Sequence, residues 1–383
     1  MLKKKIVLPI IAVIVTISLF VTTIIIDRKF RYQGENSEVG SISLDLLPIE
    51  DQCLINEVID DWIKSGDFSA ETISSYYNQY REYGRMDYPV PVHIKFLFSN
   101  TKEGVEVTKK YIEISENDQF INPIIINIAN HKNELDVYNL KTGMDYFYRV
   151  TVELSDGNIL QKQDSFKTLA TRRYCYIDGV RNVRDIGGYM TLDGKVIKQG
   201  LIYRGTELDG AQSEDGKFVI TEAGIATMVN DLKIKHLMDL RQSNLDSPEL
   251  LPSSVSHTKY SAYAYAKAFN EGERALKKIF TDLADESKYP MYVHCTYGCD
   301  RTGTIVYLMG AVLGMSEEDL YSEWALSLFF SGGSTFKAEM DEFLQVINSF
   351  EGDTLQEKVS GYLISIGITQ EQLDTFRNIM LEH

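Results

Sequence analysis

The stretch His294-Cys-Thr-Tyr-Gly-Cys-Asp-Arg-Thr-Gly303 constrains the fold of this chain more than any other. An apolar, strand-like run (290–294) precedes it and a helix-like run (304–313) follows it. A strand, a tight loop with two glycines and a helix start together make an anion cradle. Successive backbone N–H groups turn inward, and the helix dipole adds about half a positive charge at the mouth. Cys295 stands six positions before Arg301, at the base of that loop. A cysteine in such a place is favoured as the thiolate, the form that attacks. Arg301 can grip two phosphate oxygens with its planar fork, a geometry lysine cannot reproduce. A thiolate beside a phosphate cradle implies a covalent cysteinyl-phosphate intermediate.

Each residue of the loop then has an expected part. Cys295 is the nucleophile, and Arg301 binds the phosphoryl group where charge grows in the transition state. Thr302, one step on, offers its hydroxyl to the sulfur. Asp300 is a candidate general acid for the leaving oxygen. Thr296, Tyr297, Gly298 and Cys299 supply the backbone of the phosphate-binding set, together with Arg301. Gly298 lets that backbone come close, and Gly303 opens the helix without a Cβ. His294 is read as orienting the loop from beneath. A bare Cys-x5-Arg pattern is weak evidence; the flanking His, Gly and Asp-Arg-Thr-Gly in a strand–loop–helix context make it specific.

These residues resemble the signature loop of the cysteine-dependent protein tyrosine phosphatases. More narrowly, they are similar to the bacterial tyrosine phosphatase family whose loop reads His-Cys-x-x-Gly-Lys-Asp-Arg-Thr-Gly. Upstream matches fall in the family's order: Arg181-Asn-Val-Arg-Asp-Ile-Gly-Gly-Tyr189, Lys198-Gln-Gly-Leu-Ile-Tyr-Arg204 and Leu237-Met-Asp-Leu-Arg241. Gly367-Ile-Thr-Gln-Glu-Gln-Leu373 is similar near the C-terminus. The resemblance implies an α/β phosphatase domain that needs no cofactor. It also brings Asp185, Arg204, Asp239 and Arg241 into view as support for the site. Asp239 ends a strand, where α/β sheets place ligands. It is a second candidate acid, or else the partner of Arg241 or Arg204 in an ion pair. Arg184 and Asp185 are read as fixing the turn at the paired glycines. Tyr260, Tyr263 and Tyr265 are candidates to line a pocket for an aromatic ester. One position departs from the family: Cys299 stands where it commonly has Lys. Cys299 is either a small packed side chain or a resolving thiol that forms a disulfide with Cys295. The missing cation also weakens any carry-over of activity on multiply phosphorylated inositols.

The N-terminus carries the second strong signal. Residues Ile6 to Ile26 form an uncharged apolar run, preceded by Lys3, Lys4 and Lys5 and followed by Arg28, Lys29 and Arg31. As a helix the run would span about 30 Å, one bilayer core. With no good cleavage site, it reads as an uncleaved transmembrane signal anchor over 1–31. The basic residues favour a cytoplasmic N-terminus. The expected location is therefore the cell membrane, single-pass, with the catalytic domain outside.

Between anchor and loop the pattern changes twice. Residues 32–84 read as a polar linker and a helical spacer, with helical spacing at Leu54, Val58, Ile59, Trp62 and Ile63. Residues 85–170 show period-two runs with turns every ten or so residues, as in a β-sandwich. Leu140-Lys-Thr-Gly-Met-Asp-Tyr146 and the terminal Ser165-Phe-Lys-Thr168 resemble a fibronectin type III domain. Residues 171–383 alternate strands and helices. The expected fold is thus multidomain: a transmembrane helix, an all-β fibronectin III-like sandwich and an α/β phosphatase domain.

The 383-residue chain carries a net charge of −16, which argues against a nucleic-acid or anionic-membrane surface. Four cysteines (Cys53, Cys175, Cys295, Cys299) make no disulfide framework, and no metal-ligand cluster stands out. The expected activity is hydrolysis of phosphotyrosine or another phosphomonoester, on a protein or a small molecule. Two alternatives stay open. One is a dual-specificity, inositol phosphate or phosphoinositide phosphatase. The other is a non-catalytic surface adhesion or scaffold protein that recognises phosphate, with the sandwich binding a partner.

Overall fold

The computed structural model describes residues 38–39, 41–80, 87–213, 216–242, 250–331 and 337–382. They fall into two compact units. One takes the described residues up to 52, with 93–137 and 144–167, and the other takes 53–92, 138–143 and the rest of the chain from 168.

The first unit is all β. Its strands are β1 (Glu38–Val39), β2 (Ile42–Leu46), β3 (Val92–Asn100), β4 (Val107–Ser115), β5 (Ile124–Asn127), β6 (Glu134–Val137), β7 (Asp145–Leu154) and β8 (Ile159–Lys167). They form two sheets, ordered β1-β2-β3-β6 and β5-β4-β7-β8. Period-two alternation builds the interior: Val92, Ile94 and Phe96 of β3 are buried, as are Tyr146, Tyr148, Val150 and Val152 of β7. Lys110 of β4 lies over the rings of Phe96 (5.5 Å) and Phe98 (5.1 Å) on β3, so both sheets share that interior. Its buried ammonium is satisfied by the carbonyls of Asn130 and Lys132 and by Asn133 Oδ1. β2 lies inside the segment read as linker, because Ile42 and Leu44 alternate and are fully buried. The most apolar run, 121–128, is not central. β5 is an outer strand of its sheet, and Ile121, Ile124 and Ile125 are 62%, 51% and 59% exposed.

The second unit is α/β. Its sheet is ordered β12-β11-β13-β10-β9. The strands are β9 (Arg184–Asp185), β10 (Ile202–Gly205), β11 (His236–Asp239), β12 (Ser256–Lys259) and β13 (Met291–His294). β10, β13, β11 and β12 run parallel, and β9 pairs antiparallel with β10. The register sets Gly205 and Asp239 opposite His294, so three strands end at one level, directly below the loop. The longer helices around the sheet are α1 (Glu57–Ser65), α2 (Ala70–Tyr80), α3 (Glu273–Leu283), α4 (Asp300–Leu313), α5 (Glu317–Ala325), α6 (Lys337–Asn348), α7 (Leu355–Ser365) and α8 (Gln370–Met380). α4 ends at Gly314 with φ 91°, the left-handed cap that glycine favours. Between β10 and β11 one α turn (Glu222–Ala226) continues as a π turn (Thr227–Asp231).

The segment read as a helical spacer contributes α1 and α2 to this second unit. Val58, Ile59, Trp62 and Ile73 are buried in its core, and the Trp62 ring meets Phe68 at 4.8 Å and Phe329 at 5.2 Å. An apolar helix face must be covered, and here it is covered by the core of this unit.

The transmembrane part of the expected fold is corrected. Among the described residues no helix is long and apolar enough to cross a membrane. The longest, α4, has 14 residues and so spans about 21 Å, short of the roughly 30 Å of a bilayer core. The run expected to form the anchor, Ile6 to Ile26, lies outside the described residues. The single-pass membrane location and the membrane as a partner, which rested on that helix, are withdrawn with it.

Candidate active site

The loop between β13 and α4 is built by its carbonyl groups. The Cys295 carbonyl lies 3.0 Å from His294 Nδ1, which must therefore carry the proton. The Thr296 carbonyl accepts from the Glu207 backbone N–H at 3.0 Å. The Tyr297 carbonyl accepts from Asn182 Nδ2 at 3.3 Å and from the Cys299 thiol at 3.4 Å. The Gly298 carbonyl accepts from Arg204 Nη2. In a trans peptide the N–H of the next residue points opposite to the carbonyl. Four carbonyls turned outward therefore turn the N–H groups of residues 296, 297, 298 and 299 inward. Consecutive inward N–H groups at a helix N-terminus form an anion-binding concavity.

Gly298 makes the turn possible. Its φ is 69°, and a Cβ there would collide with the Gly205 carbonyl. Gly303 has another reason to be glycine: a Cβ would meet the Trp324 ring at 3.0 Å. Cys295 is buried at the root of the loop, and Arg301 is half-buried, its Nη2 donating to Thr296 Oγ1 at 3.1 Å. Thr296 Oγ1 donates in turn to Gln212 Oε1 at 2.7 Å. The Thr302 hydroxyl is buried without a hydrogen-bond partner among the described residues, and it makes none to the Cys295 sulfur. Tyr297 is the exposed member of the loop, 38% accessible, with its ring edge-on to Phe218 at 5.7 Å.

The two candidate acids differ in their surroundings. Asp300, in the first turn of α4, accepts from the Tyr265 hydroxyl at 2.7 Å. Burial raises its carboxyl above the ordinary range, and the Tyr265 hydrogen bond and Arg301 pull it back only in part. Asp239 is fully buried and bound by Arg241 through Nε (3.0 Å), Nη2 (2.9 Å) and the backbone N–H (2.9 Å). Although burial opposes its ionisation, His257, His294 and Arg241 hold it well below the usual carboxylate range. Arg241 also binds Asp209 at 2.6 Å and Glu207 at 2.8 Å. Of the two readings of Asp239, the ion pair with Arg241 is the one the geometry favours. A carboxylate so held has no proton to give.

Asp185 binds Arg173 at 2.7 Å and accepts from the Gly187 N–H at 2.8 Å, which fixes the glycine turn away from the loop. His294 Nε2 sits 3.9 Å from Asp239 Oδ1, and burial lowers the pKa of this imidazole. Tyr260 donates to Asp282 at 2.5 Å and packs inside the core, so it does not line a mouth. Cys299 is half-buried with its sulfur 3.7 Å from Asn182 Nδ2, and burial pushes its thiol up. A thiol kept protonated is a slow partner for disulfide exchange, which favours the packed reading of this residue.

Several residues behind the loop were not singled out in the sequence. Glu323 of α5 is buried and bridges Arg184 (3.1 Å) and Arg204 (2.9 Å), and it accepts from the Tyr189 hydroxyl at 3.1 Å. Ser327 accepts from Arg184 (3.1 Å), Arg204 (3.0 Å) and Asn182 (3.4 Å). Asn182 sits within a recognisable motif and could have been found there. Glu323 and Ser327 lie in or beside a helix with no local signal to mark them.

The sequence profile described as the tyrosine phosphatase family matches residues 175–382, more than half of the chain. The chain belongs to the tyrosine phosphatase family. It is thus a cysteine-based phosphatase by descent, a hydrolase of phosphoric monoesters, and the matched span contains both the loop and its supports. One solved structure similar to it is the core catalytic domain of the PP-IP phosphatase SIW14 from S. cerevisiae in complex with citrate. That match has 14% identity and a TM-score of 0.29, covering 44% of this chain and 96% of the other. No curated protein matches the chain.

Proposed function

We propose that this phosphatase hydrolyses phosphotyrosine esters through a cysteinyl-phosphate at Cys295. The observation that carries the reading is the set of four outward-tied carbonyls, which turns the N–H groups of residues 296–299 to the inside of the loop that Cys295 begins. In the first step the Cys295 sulfur bonds to phosphorus as the tyrosyl oxygen departs, taking a proton from Asp300. Arg301 and the N–H groups hold the three equatorial oxygens, where most of the charge is spread. In the second step water attacks phosphorus, its proton passes to Asp300, and the S–P bond breaks, which restores the Cys295 thiolate and releases inorganic phosphate.

Two features support an aryl ester over a polyphosphorylated one. Tyr297 presents aromatic surface on the loop, backed by the buried ring of Phe218, with Phe330 5.7 Å from Phe218. Cys299 is neutral where the resembled family commonly has Lys, so the loop brings one cation fewer to a polyphosphorylated substrate. The test is turnover by the full chain under reducing conditions of a phosphotyrosine peptide, a phosphoserine peptide and inositol hexakisphosphate. The tyrosine peptide is expected to lead in kcat/KM by about tenfold or more, a margin within reach of one polar or aromatic contact. Cys295→Ser is expected to be inactive on all three. Equal turnover of the inositol phosphate would overturn the substrate class, and no turnover of any would overturn the enzyme reading.

The first unit fits a fibronectin type III-like sandwich. In its support, consecutive strands β3 and β4 lie on different sheets, as do β5 and β6 and then β6 and β7, the crossing pattern of a Greek key.

A further inference from the structure

We propose that Arg204, held by Glu323, is a positioning residue for the phosphate cradle; the inference rests on the loop being the phosphate site. Arg204 is fully buried and distributes its fork three ways. Nη1 goes to Glu323 Oε1 at 2.9 Å, and Nη2 goes to Ser327 Oγ at 3.0 Å and to the Gly298 carbonyl. That last contact sets the plane of the peptide joining Gly298 to Cys299, and with it the direction of the Cys299 N–H. Gly298 needs such a hold more than its neighbours do, since a glycine at positive φ has no side chain to limit its rotation.

Glu323 keeps the guanidinium in place. It is fixed by Arg184 through Nε (3.1 Å) and Nη2 (3.1 Å) and by Tyr189, so the arginine it bridges cannot swing. Burial and Arg184 lower the pKa of Arg204, while Glu323 acts to keep it charged. Two guanidinium groups against one carboxylate leave this cluster with one net positive charge directly behind the loop. Cys299 faces the same cluster through Asn182, so a lysine there would add a third buried cation to a pair already only half neutralised. The cluster thus orients the loop's dipoles and supplies charge from behind it.

The test reads oxyanion binding, which does not require turnover. The full-length protein and Arg204→Lys are titrated with tungstate by calorimetry, and thermal unfolding is followed in parallel. Lysine keeps the charge beside Glu323 but cannot reach Glu323 and the Gly298 carbonyl together. Tungstate is expected to bind the variant about tenfold more weakly, with an equal or larger loss in kcat/KM for an aryl phosphate. Should that variant fail to fold, Ser327→Ala removes one acceptor of the same fork while leaving every charge in place; a loss of about threefold is expected. A folded variant that binds tungstate as the parent does, whatever its melting temperature, would overturn the positioning role. A parent that binds tungstate without hydrolysing any ester would instead remove the proposed function and leave this inference standing.

Discussion

Asp300 and Asp239 stand at opposite ends of what a buried carboxyl can do. Asp300 is pushed upward by burial, so it keeps its proton to higher pH than an exposed aspartate and can give it to a leaving group. The turnover of a phosphotyrosine peptide should therefore fall as pH rises through that raised value, because the acid form is being lost. Asp300→Asn should abolish this fall and lower kcat about a hundredfold. With an aryl phosphate that has a good leaving group, the burst that forms the cysteinyl-phosphate should be hardly affected, since only its later hydrolysis calls on Asp300. An unchanged pH profile would take Asp300 out of the role. Asp239 is pushed downward, so its ion pair with Arg241 stabilises the fold above the ordinary carboxylate range and is lost only in acid. The sequence showed both aspartates beside or below the loop, and spacing alone could not separate them. What separates them is the partner each side chain finds: Tyr265 reaching Asp300 from 35 residues upstream, and Arg241, two residues along, curling back on Asp239.

At the level of elements, the strand–loop–helix was readable because its signals are local: an apolar strand, glycines at the turn, and Gly314 ending α4. The role of α1 was not. Its apolar face at Val58, Ile59 and Trp62 announces a partner but does not name one, and the partner begins more than two hundred residues later at Phe329. That contact also joins α1 to the site, since Phe329 lies two positions beyond Ser327 in the cluster behind the loop. Trp62→Ala should cost about 3–5 kcal/mol in urea unfolding of the full chain, as expected for a large buried ring. It should also lower phosphatase activity, because α1 helps to hold that cluster's helix. Stability and activity both unchanged would mean that α1 is the spacer its position suggested. β5 teaches a related lesson: an apolar run can lie at a sheet's edge, because hydropathy does not tell an outer strand from a central one.

Across the whole molecule, a chain of net charge −16 binds its anion with dipoles and a few placed cations. Four backbone N–H groups, Arg301 and the net positive Arg184–Glu323–Arg204 cluster act within a few ångströms, where distant carboxylates are screened by salt. The family and the cradle were legible because both are written in ten consecutive residues. Arg204 was legible as a support through its motif, but Glu323 and Ser327 were not, because only the packing of a later helix brings them behind the loop. The central claim is that Cys295 carries the phosphoryl group during turnover. Full-length enzyme turning over a radiolabelled phosphotyrosine peptide, stopped in acid within milliseconds and mapped by peptide, tests this most directly. Label is expected on the peptide containing Cys295, at the sulfur of that residue, and none in Cys295→Ser. Label on Cys299 or another side chain, or steady turnover with no labelled protein at all, would contradict the account.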